Sequence, residues 1–388
     1  MNATDEFELD AILTSLVSID STSGTEDAAA HELVAWGLAH DLQARIERVG
    51  LGRASAILSS SIGTGRSILL SGHIDTLAPP TSSTPPMVGR QGDRFFGPEI
   101  NNMKAAVAAM AIALIRLRAE GLPGTVTLLA AASECDTIGL GTVAALRGGL
   151  HAEAAINGEP TDLRILTGHG GVGRVRIVAL GVAAHVSKLG EGRNAIDGLV
   201  RALTGMNATT LGIPTNDAYP GLPNLNVGII SGGRAASMSA SEASAEIDIR
   251  WPPGANWDAI VDALRTYVRK ATDGMGIAVA VEPLAEPEFM QPSSFQSSPE
   301  WAVVKAVSAA HAAVTGRECE AGVFSPQYFF GSDAPHLVDA GIPTCMYGPG
   351  TMADLNTPQE SVAWLDVVTA SDVYREATRA LLLDEWRV

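Results

Sequence analysis

An α/β fold is predicted for this 388-residue chain: a mostly parallel sheet covered by helices, with a smaller α+β layer inserted into it. Three observations carry the expectation. Apolar runs of strand length alternate with Ala- and Leu-rich helical runs up to Gly168, the signature of a sheet buried on both faces. The texture then changes to alternating strands and helices in a β-α-β-β-α-β order. Pro283, Pro287 and Pro292 with Ser293-Ser294 then mark a return linker, after which the first pattern resumes. The length also suits two cores rather than one. The expected boundaries are residues 1–169 and 283–388 for the larger domain and 170–282 for the insert.

Taken in order, Phe7, Leu9, Ile12, Leu13, Leu16 and Val17 recur at three- and four-residue spacings and predict an amphipathic helix over Asp5 to Asp20. Thr25-Glu26-Asp27 supplies a cap and an acidic first turn for a second helix. Strands are expected at 45–49, 54–58 and 67–71. Asn102 to Leu117 reads as a buried helix and 125–132 as a buried strand. Beyond Gly168 the sequence predicts two alternating strands, a helix from Asn194, strands at 225–230 and 243–250, and a helix from Asn256 to Lys270. A helix after Glu300, a strand at 343–347 and a long last helix complete the larger domain.

The formal net charge is −17, which disfavours nucleic acid and anionic membrane surfaces in the absence of a basic cluster. With 46% hydrophobic and 18% charged residues, the composition is that of a globular protein. The acidic start MNATDEFELD does not resemble a targeting segment, and Cys135, Cys319 and Cys345 form no CxxC pair. A cytoplasmic setting is expected, with no disulfide framework.

Chemistry concentrates where predicted strands end. Ser71-Gly72-His73-Ile74-Asp75 offers a histidine with an aspartate two residues on, a common way to present a metal ligand and the carboxylate that orients it. Taken alone, such a pattern is more often a hydrogen-bonded turn than a metal site. Phe96-Gly97-Pro98-Glu99-Ile100-Asn101-Asn102-Met103-Lys104 opens a helix. Ser133-Glu134-Cys135-Asp136 precedes Gly139-Leu140-Gly141-Thr142, and Asn157-Gly158-Glu159-Pro160-Thr161 follows a short strand. Caps and turns account for each of these singly, but their succession predicts convergence at one sheet edge.

In that order the motifs resemble the M20 metallopeptidase and aminoacylase family, and the likeness covers nearly the whole chain. Gly181 to His185 and Gly192 to Ile196 resemble its lid signature. Ala245 to Arg250 with Pro253-Gly254, Ser332-Asp333-Ala334 and Gly348-Pro349-Gly350 resemble later landmarks. The resemblance implies a catalytic domain with an inserted lid and dimerisation domain, and a homodimer. It also implies two zinc ions, the first held by positions matching His73, Asn102 and Glu159. The second would share the Asn102 position and add those of Asp136 and Asn356. Cys135 falls at the general base by one count and Glu134 by a one-residue slip. His185 matches a residue that stabilises the oxyanion from the other subunit, and Asp75 would orient His73.

The chain departs from that pattern where charge matters. Asn102 is a neutral residue at the bridging position, and Asn356 offers an amide where an imidazole is usual. A single zinc ion or none is therefore expected, not two. Asn102, Asn356, Arg250, Gly348 and Gly350 are expected to contact substrate. Cys135, Glu134 and His185 are the catalytic candidates, and His73, Asp136 and Glu159 the metal candidates. The implied function is an enzyme acting on the amide bond of an acylated amino acid or peptide-like substrate. The mechanism would be non-standard: acyl transfer, condensation or cyclisation, or one-metal hydrolysis. A catalytically silent ligand-binding or regulatory protein is the competing reading.

Overall fold

The computed structural model describes residues 1–77, 87–136, 139–284, 293–353, 355 and 357–385. Asn356, Pro287 and Pro292 lie outside the described residues. Two compact units result: Met1–Gly168, Phe295–Gln327 and Ser332–Val388 form one, and His169–Ser294 with Tyr328–Gly331 the other.

The first unit is built on an eight-stranded sheet. Its order is Gln43–Gly50, Arg53–Ile62, Gly124–Ala131, Ser67–His73, Ala154–Asn157, Thr344–Met346, Ile165–Leu166 and Ala321–Gly322. Gly124–Ala131, Ser67–His73, Ala154–Asn157 and Thr344–Met346 run parallel, while Gln43–Gly50 and Arg53–Ile62 add an antiparallel edge. The parallel strands are continuously apolar because helices cover both faces, and Ile68, Leu69 and Leu70 are fully buried. Helix Ala105–Glu120 packs against Trp364–Leu383, which also meets Ala302–Thr315. The segment Ile100–Glu120 is long and apolar enough to cross a membrane by composition, but it is buried inside this unit.

Three local expectations change. The helix expected from Asn102 becomes regular only at Ala105, because Asn102 and Met103 leave helical φ/ψ in the wide turn Ile100–Lys104. Met103 is pulled inward there: a Cβ on Gly72 or Gly158 would collide with its methyl group. Thr25 is not the cap of the second helix, which starts at Asp27. Its hydroxyl instead donates to the Thr22 carbonyl oxygen. Of the two alternating strands expected after Gly168, one is only the two-residue strand Gly168–His169 and the other is the long strand Gly171–Leu180. The chain beyond it makes only an isolated bridge, Val182 to Arg193.

The second unit is a four-stranded antiparallel sheet ordered Asn224–Gly232, Glu242–Trp251, Gly171–Leu180, Ala278–Pro283. Helix Trp257–Ala271 buries Trp257, Ile260, Val261, Leu264 and Val268, a single helical stripe that packs on Val175, Ile177, Ile247 and Ile249. Each such aliphatic side chain contributes about 1.5–3 kcal/mol on burial. The edge strand Asn224–Gly232 is different, with Ile229 58% and Ile230 59% exposed.

Candidate functional site

Register sets four strand ends side by side: His73 pairs with Ala131, Ser71 with Asn157, and Asn157 with Met346. Loops leaving adjacent parallel strands converge at one edge. Here those loops carry Asp75, the turn Ser133 to Asp136, Glu159, and Gly348 to Gly350.

Asp75 organises the first half of the site. It is fully buried, and its Oδ1 accepts the Glu134 N–H at 3.0 Å while Oδ2 accepts the Cys135 N–H and the Ser23 hydroxyl, each at 2.9 Å. Its Oδ1 also lies 3.4 Å from His73 Nδ1. Burial works against its charge, but His73 and the two backbone N–H groups outweigh it and hold Asp75 below the ordinary range. The imidazole is thereby oriented: Nδ1 faces Asp75, and Nε2 lies 3.8 Å from Glu134 Oε2.

Buried acids collect around that ring. Burial raises Glu134 far above the carboxylate range, helped by the charges of Glu159, Asp333 and Asp75 and opposed by His73. Glu159 is pushed up to about 7 by burial, with Asp333 and Asp75 adding to the shift. Asp333, also buried, is raised for the same first reason. For His73 burial disfavours the cation, yet Cys135, Asp75 and Glu134 outweigh it and raise its pKa. Near neutral pH the bare cluster therefore holds protons. His73 Nε2 and Glu159 Oε1 are buried and have no hydrogen-bond partner among the described residues.

Cys135 stands on the other side of the ring. Its sulfur lies 3.9 Å from His73 Nδ1 and 3.8 Å from the Asp75 carbonyl oxygen, and burial pushes the thiol well up despite His73. Asp136 pairs with Arg53, with Nη2 2.7 Å from Oδ2, while its Oδ1 is buried with no hydrogen-bond partner among the described residues.

The remaining expected residues are distributed differently. Asn102 lies in the wide turn before helix Ala105–Glu120, next to the inward-facing Met103. Gly348 is packed so closely that a Cβ would sit 2.3 Å from the Gly158 carbonyl oxygen, and its N–H donates to Thr161 Oγ1. Gly350 has φ +85°, and a Cβ there would meet Asn101 Oδ1 at 2.2 Å. Gly348 thus holds the loop against the Glu159 turn, and Gly350 packs on Asn101. In the second unit Arg250 grips Asp248 through Nε at 2.6 Å and Nη2 at 3.2 Å, and donates to the Phe329 carbonyl oxygen. His185 is exposed, its Nδ1 2.9 Å from Ser187 Oγ.

Two donor sets near His73 differ in their fit to a metal ion. His73, Asp75 and Cys135 have ligand atoms within 4.8 Å of one another. Both Asp75 oxygens already accept N–H and O–H donors, which orients the ring from the Nδ1 side. His73 Nε2 and Glu159 Oε1, unsatisfied and buried beside Glu134, fit one borderline cation.

Asp333 and Arg53 were not assigned roles from sequence. Ser332-Asp333-Ala334 was a visible signal at a helix start, and Asp333 makes no capping bond there. Arg53, at the start of strand Arg53–Ile62, carries no local signal.

Residues 167–275 match the peptidase dimerisation domain of M20 enzymes. A peptidase M20 domain-containing protein of Schizosaccharomyces pombe is 28% identical over 371 residues, 93% of this chain and 82% of that protein. Acetylornithine deacetylase of Aliivibrio salmonicida is 25% identical over 92% of this chain and 93% of its own length. A dinuclear metal-binding peptidase of the M20 family from Bacillus subtilis superposes with a TM-score of 0.73 at 15% identity, covering 98% of this chain and 99% of that one. In its relatives and its dimerisation segment the chain is similar to the M20 metallopeptidase/aminoacylase family, and it shares the fold of that family's solved structures.

Proposed function

We propose that this protein hydrolyses the amide bond of an acylated amino acid or small peptide with the help of one cation. The observation that carries the reading is the pair of unsatisfied buried ligand atoms, His73 Nε2 and Glu159 Oε1, beside a protonatable Glu134. The deacetylase and peptidase names of the relatives support the substrate class. His73 and Glu159 would hold the cation, which supplies Lewis-acid polarisation and a more acidic water when bound. The turn aims Glu134 into the cluster, where its carboxylate takes a proton from the attacking water and returns it to the leaving amine nitrogen. Asp75 holds His73 Nδ1 so that Nε2 faces the cluster throughout. Acyl transfer or cyclisation through Cys135 would need a thiolate, and the raised thiol pKa favours the hydrolytic version.

The same reading assigns residues 170–282 to lid and dimerisation and the rest to catalysis. It includes a homodimer, supported by the dimerisation match and by the exposed Ile229 and Ile230 on an edge strand. In the dimer His185 would stabilise the oxyanion of the other protomer. Light scattering should return twice the 40.2 kDa chain mass.

The function is tested by titrating metal-free protein with zinc, manganese or cobalt and assaying release of free amine from N-acyl amino acids and tripeptides. Saturable turnover that reaches its maximum at one cation per chain is expected. Absence of turnover on the whole panel, or a requirement for two tightly held ions, rejects this reading.

A further inference from the structure

We propose that the Arg53 guanidinium serves as the built-in second cation of this site, neutralising Asp136 and pinning the Ser133 to Asp136 turn so that only one metal ion is accommodated. The inference rests on reading the His73 cluster as a one-cation amidohydrolase site, and concerns the half of that site on the far side of the turn.

The arrangement is a closed network. Arg53 Nη2 lies 2.7 Å from Asp136 Oδ2, and Nη1 donates to Ser133 Oγ at 3.0 Å. Ser133 Oγ in turn donates to Glu26 Oε1 at 3.2 Å, and Glu26 Oε2 accepts the Gly24 N–H at 3.0 Å. Glu26 and Ser133 are fully buried, and the Arg53 and Asp136 side chains are 20% and 32% exposed. One guanidinium therefore spans the four-residue turn, gripping it just before and just after Glu134 and Cys135. Its planar fork suits that task and a lysine ammonium does not. Ser133 takes φ +59°, a left-handed conformation unusual for a residue with a side chain. The bonds from Arg53 and Glu26 hold its hydroxyl in that conformation, which is what sends Glu134 toward His73 and Asp136 toward Arg53.

The electrostatic consequence separates the two halves. A second divalent ion needs anionic ligands. The bridging position carries neutral Asn102, the late position is Asn356, and Asp136 is paired with a fixed positive charge. A metal ion there would have to displace a guanidinium bonded to Asp136 and Ser133. Arg53 is on this argument a positioning residue, and the single-metal character of the site is a property of the protein's own charge.

The test is a cobalt titration of metal-stripped protein, followed by equilibrium dialysis and by the visible d–d absorption. Arg53→Met is expected to take up one more cobalt ion per chain than the unsubstituted protein, with a new absorption component. Arg53→Met/Asp136→Asn should lose that extra ion. Arg53→Lys, which keeps the charge, should match the parent count. Near-UV circular dichroism monitors folding. Should Arg53→Met fail to fold, Asp136→Asn alone decides: an unchanged count supports the proposal, and loss of an ion overturns it by making Asp136 a ligand. An Arg53→Met count equal to the parent's also overturns it. The proposal is read from the difference between variants, whereas the one-cation function is read from the parent's own count and turnover, so the two can fail separately.

Discussion

Two acids separated only by Cys135, Glu134 and Asp136, meet opposite electrostatic surroundings. Glu134 enters a buried pocket shared with Glu159, Asp333 and Asp75, where the His73 imidazole is set among four carboxyl groups. Asp136 meets a guanidinium at 2.7 Å in a half-buried setting. The first half is left with negative charge that only protons or a cation can compensate; the second is compensated by the chain itself. Charge balance, more than ligand identity, thus distinguishes where this fold would take an ion.

The largest expected effect lies on the uncompensated side. Glu134→Gln removes the proton carrier while keeping the shape of the turn, because the backbone N–H bond to Asp75 remains. Turnover should fall by about 10²–10⁴-fold, the usual contribution of a positioned general base. Unchanged turnover would move the acid–base role elsewhere and dissolve the contrast between the two acids.

Next in size is a stability effect of opposite sign to the functional one. Glu159 has its pKa raised to about 7, so its contribution to stability is complete below the unfolded value and is lost as pH rises through 7. Above that pH the metal-free protein carries a buried charge that folding disfavours. Glu159→Gln should therefore stabilise metal-free protein at pH 8, by on the order of 2 kcal/mol. The same variant should abolish the rise in Tm on adding zinc. Differential scanning calorimetry at pH 5 and pH 8 checks both signs, and a destabilised Glu159→Gln at pH 8 would show that the acid is satisfied.

Cation binding itself should expel protons. His73 and Glu134 have raised pKa values and Glu159 sits near 7, so binding at pH 7 must displace at least one proton from the cluster. Affinity is expected to climb about tenfold per pH unit between pH 6 and 7. Calorimetric titration in buffers of different ionisation enthalpy counts the protons directly. A pH-independent affinity would mean that the ion binds outside the acidic half.

What the sequence disclosed follows the reach of each interaction. His73, Asp75 and Glu159 sit at or just past the ends of buried strands, and an apolar run with a polar tip is visible in sequence. Which of Glu134, Cys135 and Asp136 faces inward is decided by the left-handed Ser133 and by Asp75 accepting two consecutive N–H groups, and neither leaves a mark in the order of residues. The Arg53–Asp136 pair joins positions far apart in the chain. The strands Gly89–Gln91, Arg94–Phe96 and Ser361–Ala363 went unread because three residues cannot display a period. The helix Trp257–Ala271, with its complete apolar stripe, was legible almost to its ends.

The smallest expected effect concerns Cys135, which lies between the two halves. Its sulfur is near His73 Nδ1, but that nitrogen is engaged with Asp75, and Nε2, the atom facing the acids, points the other way. Burial and the neighbouring acids keep the thiol protonated, so it is a poor nucleophile at neutral pH and a weak hydrogen-bond partner. Cys135→Ser preserves the shape and replaces that weak contact with a hydroxyl able to bond the Asp75 carbonyl oxygen. Turnover within about threefold of the parent is expected, with slow alkylation of the parent thiol by iodoacetamide at pH 7. A loss of tenfold or more, together with rapid alkylation that blocks turnover, would instead place the reacting atom on the Nδ1 side of the ring. In that event the acidic half would be the binding pocket and the thiol the nucleophile, and the contrast between Glu134 and Asp136 would bear on substrate orientation rather than on the cation.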